Sequence, residues 1–330
     1  MNQSLCGLLG MERPIMSAPI GSVAGPDLVA AVCNAGGYGV IPLWGRGAEE
    51  VAAGIDAVRA KTDGNFAVNL NMSFPWADQL QACIDAKVHG VSLFWGLSQD
   101  AVEQAASAGL KVLVTVGTAE EAVEARKAGA DVIVAQGWEA GGHVWGQVAT
   151  LALVPSVVDA VDVPVVAAGG IADGRGMAAA LMLGAQGVWI GTRFLASKEA
   201  DIHPDYRQQI LAASASQAEW YADLYDVAWE NAPHRALRND TSENWHRSGE
   251  APMGHRPGES DVLGHAADGR PILRYQSCTP VSTMTGDITA MPMWAGQGVS
   301  LVHKVQTADE IIDEIYSDAK RVLATAPTLL

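Results

Sequence analysis

The sequence predicts an α/β fold, a (β/α)8 barrel (TIM barrel) with a long insertion between its eighth strand and its final helix. Three observations carry this prediction. Short β-branched segments recur through residues 1–200, Ala-rich segments with helical spacing lie between them, and an amphipathic segment at 309–324 follows a long polar stretch. Regular alternation of strand and helix is typical of a closed barrel of parallel strands.

Eight segments are predicted as strands because they are apolar almost throughout, as in parallel strands that are buried on both faces. An open doubly wound sheet is the alternative. That fold typically carries Gly-x-Gly-x-x-Gly after its first strand, and the motif does not occur in this chain. The predicted strands are Pro14–Ile20, Tyr38–Trp44, Phe66–Asn71, Gly90–Gly96, Lys111–Gly117, Asp131–Gly137, Pro164–Gly170 and Gly187–Phe194.

The helical segments and the insertion complete the predicted organisation. Residues 200–230 are predicted to be largely helical, whereas 233–275 are polar and rich in Gly, Pro and Arg and cannot build a core of their own. We therefore expect barrel strands in 1–200, a helical and lid-like insertion packed on the barrel in 201–300, and the closing helix in 301–330. The predicted barrel helices are Ala48–Lys61, Ala77–Lys87, Ser98–Ala108, Thr118–Ala128 and Gly176–Leu183.

Charge and cysteine content exclude several classes of protein. The chain has 21 Lys and Arg against 37 Asp and Glu, a formal net charge of −16, which argues against binding to nucleic acid or to an anionic membrane. The N-terminus lacks the features of a signal peptide, and no apolar run reaches the length of a membrane span. The four cysteines show no C-x-x-C spacing, so we expect a cytoplasmic protein with reduced thiols.

Two glycine-rich turns follow consecutive predicted strands. Strand 7 ends in AAGGIADG and strand 8 in WIGTRF, which places Gly169, Gly170 and Gly191 at the ends of the strands. Glycine lets backbone N–H groups approach a phosphate without a Cβ in the way, and barrels often bind phosphate with these two loops. The alternative is that these glycines only make tight turns.

His143 is the candidate acid–base residue. It lies in the glycine-rich segment QGWEAGGHVWG, directly after predicted strand 6, where a histidine can donate or accept a proton or hold an anion. The alternative is a histidine that caps a turn. No metal site is predicted, because the sequence has no H-E-x-x-H or H-x-H and the insertion's histidines are loosely spaced. These are His234, His246, His255 and His265.

Several motifs together resemble the nitronate monooxygenase family, formerly called 2-nitropropane dioxygenases. They are PIMSAPI, NAGGYGV, QGWEAGGHVWG, AAGGIADGRGMAAALMLGAQGVWIGTRFLAS and AGQGVSLV, and they extend from Pro14 to about Val302. The framework is also similar to the flavin-dependent enoyl-acyl-carrier-protein reductases. NAPHRALRN, at 231–239, resembles the longer nitronate monooxygenase-like members better.

The resemblance implies an FMN-dependent barrel with a small-molecule substrate and O2 as co-substrate. His143 matches the family's catalytic histidine, and the family pattern differs after it, where Val144, Trp145 and Gly146 follow here. The phosphate is implied to bind at Gly169, Gly170, Gly191 and Thr192. Residues implied to line the flavin ring and ribityl chain are Ala18, Pro19, Asn69, Gln136, Gly142, Gly296 and Gln297.

The tryptophans suggest a substrate pocket. The chain has 10 Trp beside 4 Phe and 6 Tyr. Trp44, Trp95, Trp138 and Trp145 fall at or just beyond predicted strand ends, and Trp76 follows strand 3. They are predicted to form the aromatic wall of a narrow pocket for a small or flat substrate, with Trp95, Trp138 and Trp145 as its substrate residues, the alternative being that they pack the top of the core.

The expected function is FMN-dependent oxidation of alkyl nitronates or nitroalkanes by O2 to a carbonyl compound and nitrite. His143 would act as the base for a nitroalkane, or as an imidazolium that holds a nitronate. The alternative activity is NAD(P)H-dependent, FMN-mediated reduction of an enoyl thioester or a quinone. A non-catalytic flavin-binding protein is the alternative from another class, and a homodimer is an assembly compatible with the sequence.

Overall fold

The computed structural model describes residues 4–325 and residue 327. All eight predicted barrel strands are present, and each lies within its predicted segment. They are β1 (Ile15–Ser17), β2 (Gly39–Pro42), β3 (Phe66–Asn71), β4 (Gly90–Phe94), β5 (Lys111–Val116), β6 (Val132–Gln136), β8 (Val165–Ala168) and β9 (Gly187–Ile190), while β7 (Gly142–His143) is a short strand outside the barrel.

The eight strands run parallel in the order β1-β9-β8-β6-β5-β4-β3-β2. The two ends of this order meet in a parallel bridge between Met16 and Tyr38, where the backbone N–H of Tyr38 donates to the carbonyl of Ile15 at 3.0 Å. This bridge closes the sheet, and the predicted α/β barrel is confirmed.

Helices alternate with the strands around the barrel. The five barrel helices expected from the sequence are present, with ends that differ by a few residues. The helices are α1 (Leu5–Leu9), α2 (Pro26–Asn34), α3 (Ala48–Arg59), α4 (Ala77–Asp85), α5 (Gln99–Ser107), α6 (Ala119–Ala128), α7 (Thr150–Ala160), α8 (Gly174–Met182), α9 (Pro204–Ala212), α10 (Asp240–Arg247) and α11 (Ala308–Thr325).

The apolar core has an inner and an outer part because side chains alternate between the two faces of each strand. On β6, Val132 and Val134 belong to the cluster inside the barrel, whereas Ile133 packs in the cluster between strands and helices. Leu5 and Leu9 of α1 also belong to the inner cluster. Helix α1 therefore closes one end of the barrel interior.

The prediction that residues 200–230 are largely helical is wrong. Helix α9 ends at Ala212, and a strand, β10 (Ala218–Tyr221), follows it. Trp220 and Tyr221 favour an extended backbone, and β10 pairs antiparallel with β11 (His234–Leu237), which in turn pairs with β7. The pairing of β10 with β11 determines the conformation of these residues. The local spacing of apolar residues does not show this pairing.

The three-stranded sheet β10-β11-β7 joins the insertion to the barrel, since β7 follows β6 directly. A second small sheet contains β12 (Val262–His265), β13 (Pro271–Leu273) and β14 (Thr285–Gly286). A mainly aromatic cluster, to which 233–275 contributes only part, packs beside these strands: Tyr221, Leu224, Tyr225, Ala236, Trp245, Tyr275 and Trp294. The division at residues 200 and 300 and the lid role of the insertion stay predictions.

None of the helices in residues 4–325 and 327 combines the length and the apolar composition that a membrane span requires. The same residues contain no group of three or more His, Cys, Asp or Glu side chains that could hold a metal ion.

Candidate active site

A cavity of about 390 Å³ lies at the carboxyl ends of the barrel strands. This is the end at which barrels carry their reacting groups. Loops that follow the strands form one side of the cavity, and segments of the insertion form the other. The predicted site residues that line it are Ala18, Pro19, Asn69, Gln136, Gly142, His143, Gly169, Gly170, Gly191, Thr192 and Gly296.

The glycines after β8 adopt a left-handed backbone, with φ of 104° at Gly169 and 71° at Gly170. A Cβ on Gly169 would lie 2.8 Å from the carbonyl oxygen of Gly137 and 3.0 Å from Oγ1 of Thr150. Both the conformation and the contact require glycine. Gly169 is therefore needed for packing, with or without a ligand.

Gly191, after β9, is a different case. Its φ is −105°, and a Cβ there would meet only the Cβ of Ala18, at an ordinary 3.5 Å. Neither conformation nor packing within the chain calls for glycine. The space beside Gly191 is thus open to a group from outside the chain.

Donors for an anion converge around these two turns. The backbone N–H groups of Gly170 and Gly191 donate to no backbone acceptor within the described part of the chain. Thr192 Oγ1 accepts from the N–H of Gly296 at 2.9 Å, which leaves the hydroxyl proton available to a ligand. Free N–H groups and a hydroxyl beside glycine turns suit a phosphate.

The N-terminus of α8 does not belong to this cradle. The carboxylate of Asp173 caps the helix and accepts from the backbone N–H groups of Arg175 and Gly176, both at 3.0 Å. An anion near the turns would therefore be held by Gly170, Gly191 and Thr192 and not by this helix end.

The side chain of Gln136 fixes the loop that carries His143. Its Nε2 donates to the backbone carbonyl of His143 at 3.1 Å, and its Oε1 accepts from the N–H of Trp145 at 2.9 Å. Both groups of the amide are thus used on either side of Val144. Gln136 lines the cavity and at the same time positions the histidine.

The imidazole of His143 lies among aromatic rings. It stacks on the indole of Trp229 with ring centroids 3.8 Å apart, and Trp294 and Trp95 lie at 5.2 and 5.8 Å. Burial lowers the pKa of His143 well below its ordinary value, and the neighbouring His234 lowers it further. His143 is therefore neutral at physiological pH and can accept a proton.

His234 faces His143 across the β7–β11 pair. Its Nδ1 lies 2.8 Å from the carbonyl of Ala232, and its Nε2 accepts from the backbone N–H of Tyr225 at 3.1 Å. Since Nε2 accepts, Nδ1 carries the proton and the ring is neutral. Burial lowers the pKa of His234 to about 4.

Arg235, in the NAPHRALRN segment, ties the insertion to the His143 loop. Its buried guanidinium donates to the carbonyls of Ala140 at 3.1 Å, Trp138 at 2.8 Å and Ala218 at 3.0 Å. A planar guanidinium can bind several acceptors at fixed angles. Arg235 therefore joins the loop after β6, β10 and β11 into one unit.

The prediction that Trp95, Trp138 and Trp145 wall the pocket is corrected by the structure, since none of them lines the cavity. Trp95 and Trp145 form a layer behind the wall, with ring centroids 5.2 Å apart and Trp95 at 5.1 Å from Trp229. Trp138 packs beneath the guanidinium of Arg235 and is 36% exposed on the other side. Trp95 and Trp145 therefore pack behind the wall, whereas Trp138 is partly exposed and belongs neither to the cavity lining nor to the buried core.

Gln297 also lies outside the cavity lining, whereas its neighbour Gly296 is part of it. Gln297 begins a short 3-10 helix, and its backbone N–H donates to the carbonyl of Glu139 at 2.9 Å. The turn is held against the loop after β6 by its backbone, so Gln297 supports the site without facing it.

The lining residues that sequence reasoning missed include Trp229, Trp294, Ser277 and Arg46. The first three come from the insertion, and Ser277 Oγ lies 3.5 Å from His143 Nε2. The available signal was aromatic residues in an otherwise polar stretch. Arg46 follows β2 and is the only Lys, Arg, Asp or Glu lining the cavity in the described part of the chain.

A second recess, of about 490 Å³, adjoins the first at Arg46. Its lining is largely apolar and includes Phe74 and Trp76. Phe74 of this recess stacks on Trp44 of the first cavity, with ring centroids 5.4 Å apart.

A family model and a relative of this chain carry the same family description. The family model described as nitronate monooxygenase matches residues 2–79 and 67–318. The nitronate monooxygenase of Pseudomonas aeruginosa is 30% identical over 94% of this chain and 97% of its own length. A relative from Rhodococcus jostii is 32% identical over 98% of this chain and 97% of its own: "(3aS,4S,5R,7aS)-5-hydroxy-7a-methyl-1-oxo-octahydro-1H-indene-4-carboxyl-CoA dehydrogenase".

Solved structures share the whole architecture. FabK from Thermotoga maritima superimposes with a TM-score of 0.86 at 32% identity, and the match covers 100% of both chains. The nitroalkane oxidase from Streptomyces ansochromogenes gives a TM-score of 0.77 at 27% identity over 99% of both chains.

Proposed function

The chain belongs to the nitronate monooxygenase family and is a flavin-dependent oxidoreductase, and we propose that it is an FMN-dependent nitronate monooxygenase. In this proposal it oxidises alkyl nitronates and nitroalkanes with O2 and releases a carbonyl compound and nitrite. One observation carries it: a neutral histidine, His143, lines the same cavity as the donor-rich glycine turns.

The residues around the turns fit the phosphate of FMN. Gly170, Gly191 and Thr192 supply donors, and the missing Cβ at Gly191 leaves room that packing does not explain. Asn69 and Gln136 line the cavity between this cradle and His143. When bound, FMN supplies the redox chemistry by taking electrons from the substrate and passing them to O2.

His143 is the proposed general base. A neutral imidazole can remove the proton from the carbon next to a nitro group, whereas an imidazolium cannot. The sequence also allowed a second role, an imidazolium that holds a preformed nitronate. Burial favours a neutral resting His143, which is the form that a base needs at the start, whereas holding a preformed nitronate needs the imidazolium from the outset.

Aromatic walls shape the proposed substrate site. Trp44, Trp229 and Trp294 line the cavity together with His143. Among the described lining residues there is no Lys, Asp or Glu, and Arg46 is the one Arg. Flat aromatic surfaces suit a small planar group, such as a nitro group, better than a highly charged substrate.

A second candidate function is flavin-dependent oxidation or reduction of a thioester. The Rhodococcus jostii relative is named as a carboxyl-CoA dehydrogenase. The recess of about 490 Å³ beside Arg46 offers room for a long substrate arm that a nitroalkane does not need. The alternative activity expected from the sequence is of this kind: reduction of an enoyl thioester or a quinone by NAD(P)H.

A matched pair of histidine variants tests the base assignment. His143→Asn should lower nitrite release from nitroethane by at least about a hundredfold, because general base catalysis contributes that much. It should affect preformed ethyl nitronate far less. His265→Asn, at an exposed position of β12, is the control. If His143→Asn oxidises nitroethane at the wild-type rate, His143 is not the base.

Anaerobic mixing of the FMN-loaded protein separates the two candidate functions. Bleaching of the flavin by ethyl nitronate but not by NADH supports the oxygenase, whereas rapid bleaching by NADH supports the reductase. A purified protein that does not take up FMN would contradict both. A cytoplasmic location and a homodimer stay predictions.

A further inference from the structure

One buried hydrogen-bond donor beside the cavity has no acceptor. Trp229 is 7% exposed and lines the cavity, and its indole Nε1 is buried without a partner. Among the described residues that line this cavity, it is the one buried side-chain polar atom in that condition. Unpaired buried donors are unfavourable and rare in native proteins. An acceptor from a ligand would satisfy it.

Three other side-chain donors at the cavity are already used within the protein. Nε1 of Trp294 donates to the carbonyl of Cys278 at 2.8 Å, Nδ2 of Asn69 donates to the carbonyl of Ser92 at 3.1 Å, and Gln136 holds the His143 loop. These bonds are internal to the protein. The indole N–H of Trp229 differs from these three because it is buried and has no acceptor in the described chain.

The indole also lies where the proposed chemistry needs a donor. Its ring stacks on the imidazole of His143 with centroids 3.8 Å apart and an interplanar angle of 27°. When a base removes the proton from a carbon that bears a nitro group, the C–H electron pair delocalises onto the nitro oxygens. A preorganised N–H at that place stabilises the negative charge as it forms.

The backbone around Trp229 is held in a strained conformation. Ala228 has a φ of 77° and Asn231 a φ of 54°, in the left-handed region that residues with a Cβ rarely adopt. The turn between them is anchored, since the N–H of Trp229 donates to the carbonyl of Asp226 at 2.9 Å. Because this strained backbone lies at the cavity wall, it indicates that the position of the Trp229 ring matters for the function of the site.

We propose that Trp229 is a specificity-determining residue whose indole N–H donates a hydrogen bond to the substrate oxygen that becomes negative. In this step the C–H bond breaks, the imidazole of His143 takes the proton, and the electron pair moves to the nitro oxygen bound by Trp229. The inference rests on the proposed function. It specifies that the nitro oxygen of the substrate binds to the indole N–H of Trp229.

Trp229→Phe keeps a six-membered aromatic ring for stacking and removes the N–H donor together with the pyrrole part of the indole. We expect kcat/KM for nitroethane to fall about 10- to 100-fold, the range for a lost hydrogen bond to a charge-bearing oxygen. Trp220→Phe is the matched control, because its Nε1 is also buried and unpartnered but lies outside the cavity lining. Equal kinetics for the two variants would overturn the proposal.

A second measurement does not depend on turnover. The indole ¹H–¹⁵N signal of Trp229 is assigned in the FMN-loaded protein as the signal that Trp229→Phe lacks. The probe is 2-methyl-2-nitropropane, which has nitro oxygens but no proton for His143 to remove. Saturating probe should move this signal downfield and slow its exchange with solvent, whereas the signal of Trp220 stays in place.

These results separate the inference from the function on which it rests. An indole signal that does not move, or a probe that does not bind, overturns the role of Trp229. Failure of the wild-type protein to release nitrite from nitroethane overturns the proposed function. A shifted indole signal without nitrite release keeps the donor role and rejects the reaction.

Discussion

The guanidinium of Arg256 donates to the carboxylate of Asp226 at 2.7 Å, with both side chains almost completely buried. A second carboxylate, that of Glu259, lies 2.6 Å from the same guanidinium. The carbonyl of Asp226 in turn accepts from the N–H of Trp229. A buried ion pair thus anchors the turn that places an aromatic ring on His143.

Removal of one partner of this buried pair should be strongly destabilising. Arg256→Met leaves Asp226 without its cation, and we expect a loss of about 3–5 kcal/mol in the free energy of unfolding. Arg270→Met is the control, because the Arg270–Asp268 pair is close, at 2.6 Å, but exposed. That change should cost less than about 1 kcal/mol. Urea unfolding of both variants measures the difference. Similar losses in the free energy of unfolding would show that the buried pair does not stabilise the fold more than the exposed one.

Two glycines of the cavity should respond in opposite ways to alanine. Gly169→Ala forces a Cβ to within 2.8 Å of a carbonyl oxygen at a φ of 104°, so we expect a fall in folding stability of at least about 1 kcal/mol. Gly191→Ala has room for its Cβ and should fold normally. It should weaken binding of FMN, because the methyl group occupies the space assigned to the phosphate.

Thermal unfolding and a flavin titration separate these two effects. Gly191→Ala should keep the wild-type melting temperature without FMN and bind FMN more weakly. If Gly191→Ala binds FMN as the wild type does, the phosphate lies elsewhere. If Gly169→Ala is as stable as the wild type, the backbone contact is not as tight as the structure has it.

The two hydrogen bonds of Gln136 predict a linked effect on stability and activity. Gln136→Met keeps the length of the side chain and loses both bonds to the His143 loop, which should cost about 1–3 kcal/mol. Nitroethane oxidation should fall more than oxidation of preformed ethyl nitronate, because the loop positions the base. Gln81→Met, which loses a surface bond to Asp85, is the control. Equal losses for both substrates would argue against a positioning role.

The sequence was most informative where one physical requirement dominates. Strands buried on both faces must be apolar throughout, so all eight barrel strands lie within their predicted segments. Gly169 and Gly170 marked the cavity for a similar reason, because few other residue types adopt their left-handed backbone. Gly191 and His143 are not constrained in this way, and they were identified by their places after strand ends.

The cavity wall that the insertion supplies could not be predicted in the same way. Trp229 contacts His143 only because β11 pairs with β7 and Arg256 anchors the turn at Asp226. These are contacts between residues far apart in sequence, and no local spacing encodes them. The same reason explains why Trp95 and Trp145, at strand ends, form a layer behind the wall.

The pH dependence of nitroalkane oxidation should report the desolvated imidazole of His143. Because burial lowers its pKa, the neutral base persists below pH 6.5, the ordinary value for histidine. We expect kcat/KM for nitroethane to stay level from pH 8 down to 6.5 and to fall only at lower pH. Trp229→Ala admits water beside the ring and should move that fall to higher pH. A wild-type profile with its midpoint above 6.5 would contradict this environment.

Folding stability should also depend on pH through His234. Its folded-state pKa of about 4 lies below the unfolded value of about 6.5, so the unfolded chain binds the proton first as the pH falls. The contribution of the neutral ring is complete above pH 6.5 and is lost between 6.5 and 4, about 3 kcal/mol in all.

Urea unfolding at pH 7.0, 5.5 and 4.5 measures this contribution to the free energy of unfolding, with His265→Asn as the control. His234→Gln should remove this part of the acid sensitivity. If His234→Gln and the wild type lose the same free energy between pH 7.0 and 4.5, the ring is not the group that titrates.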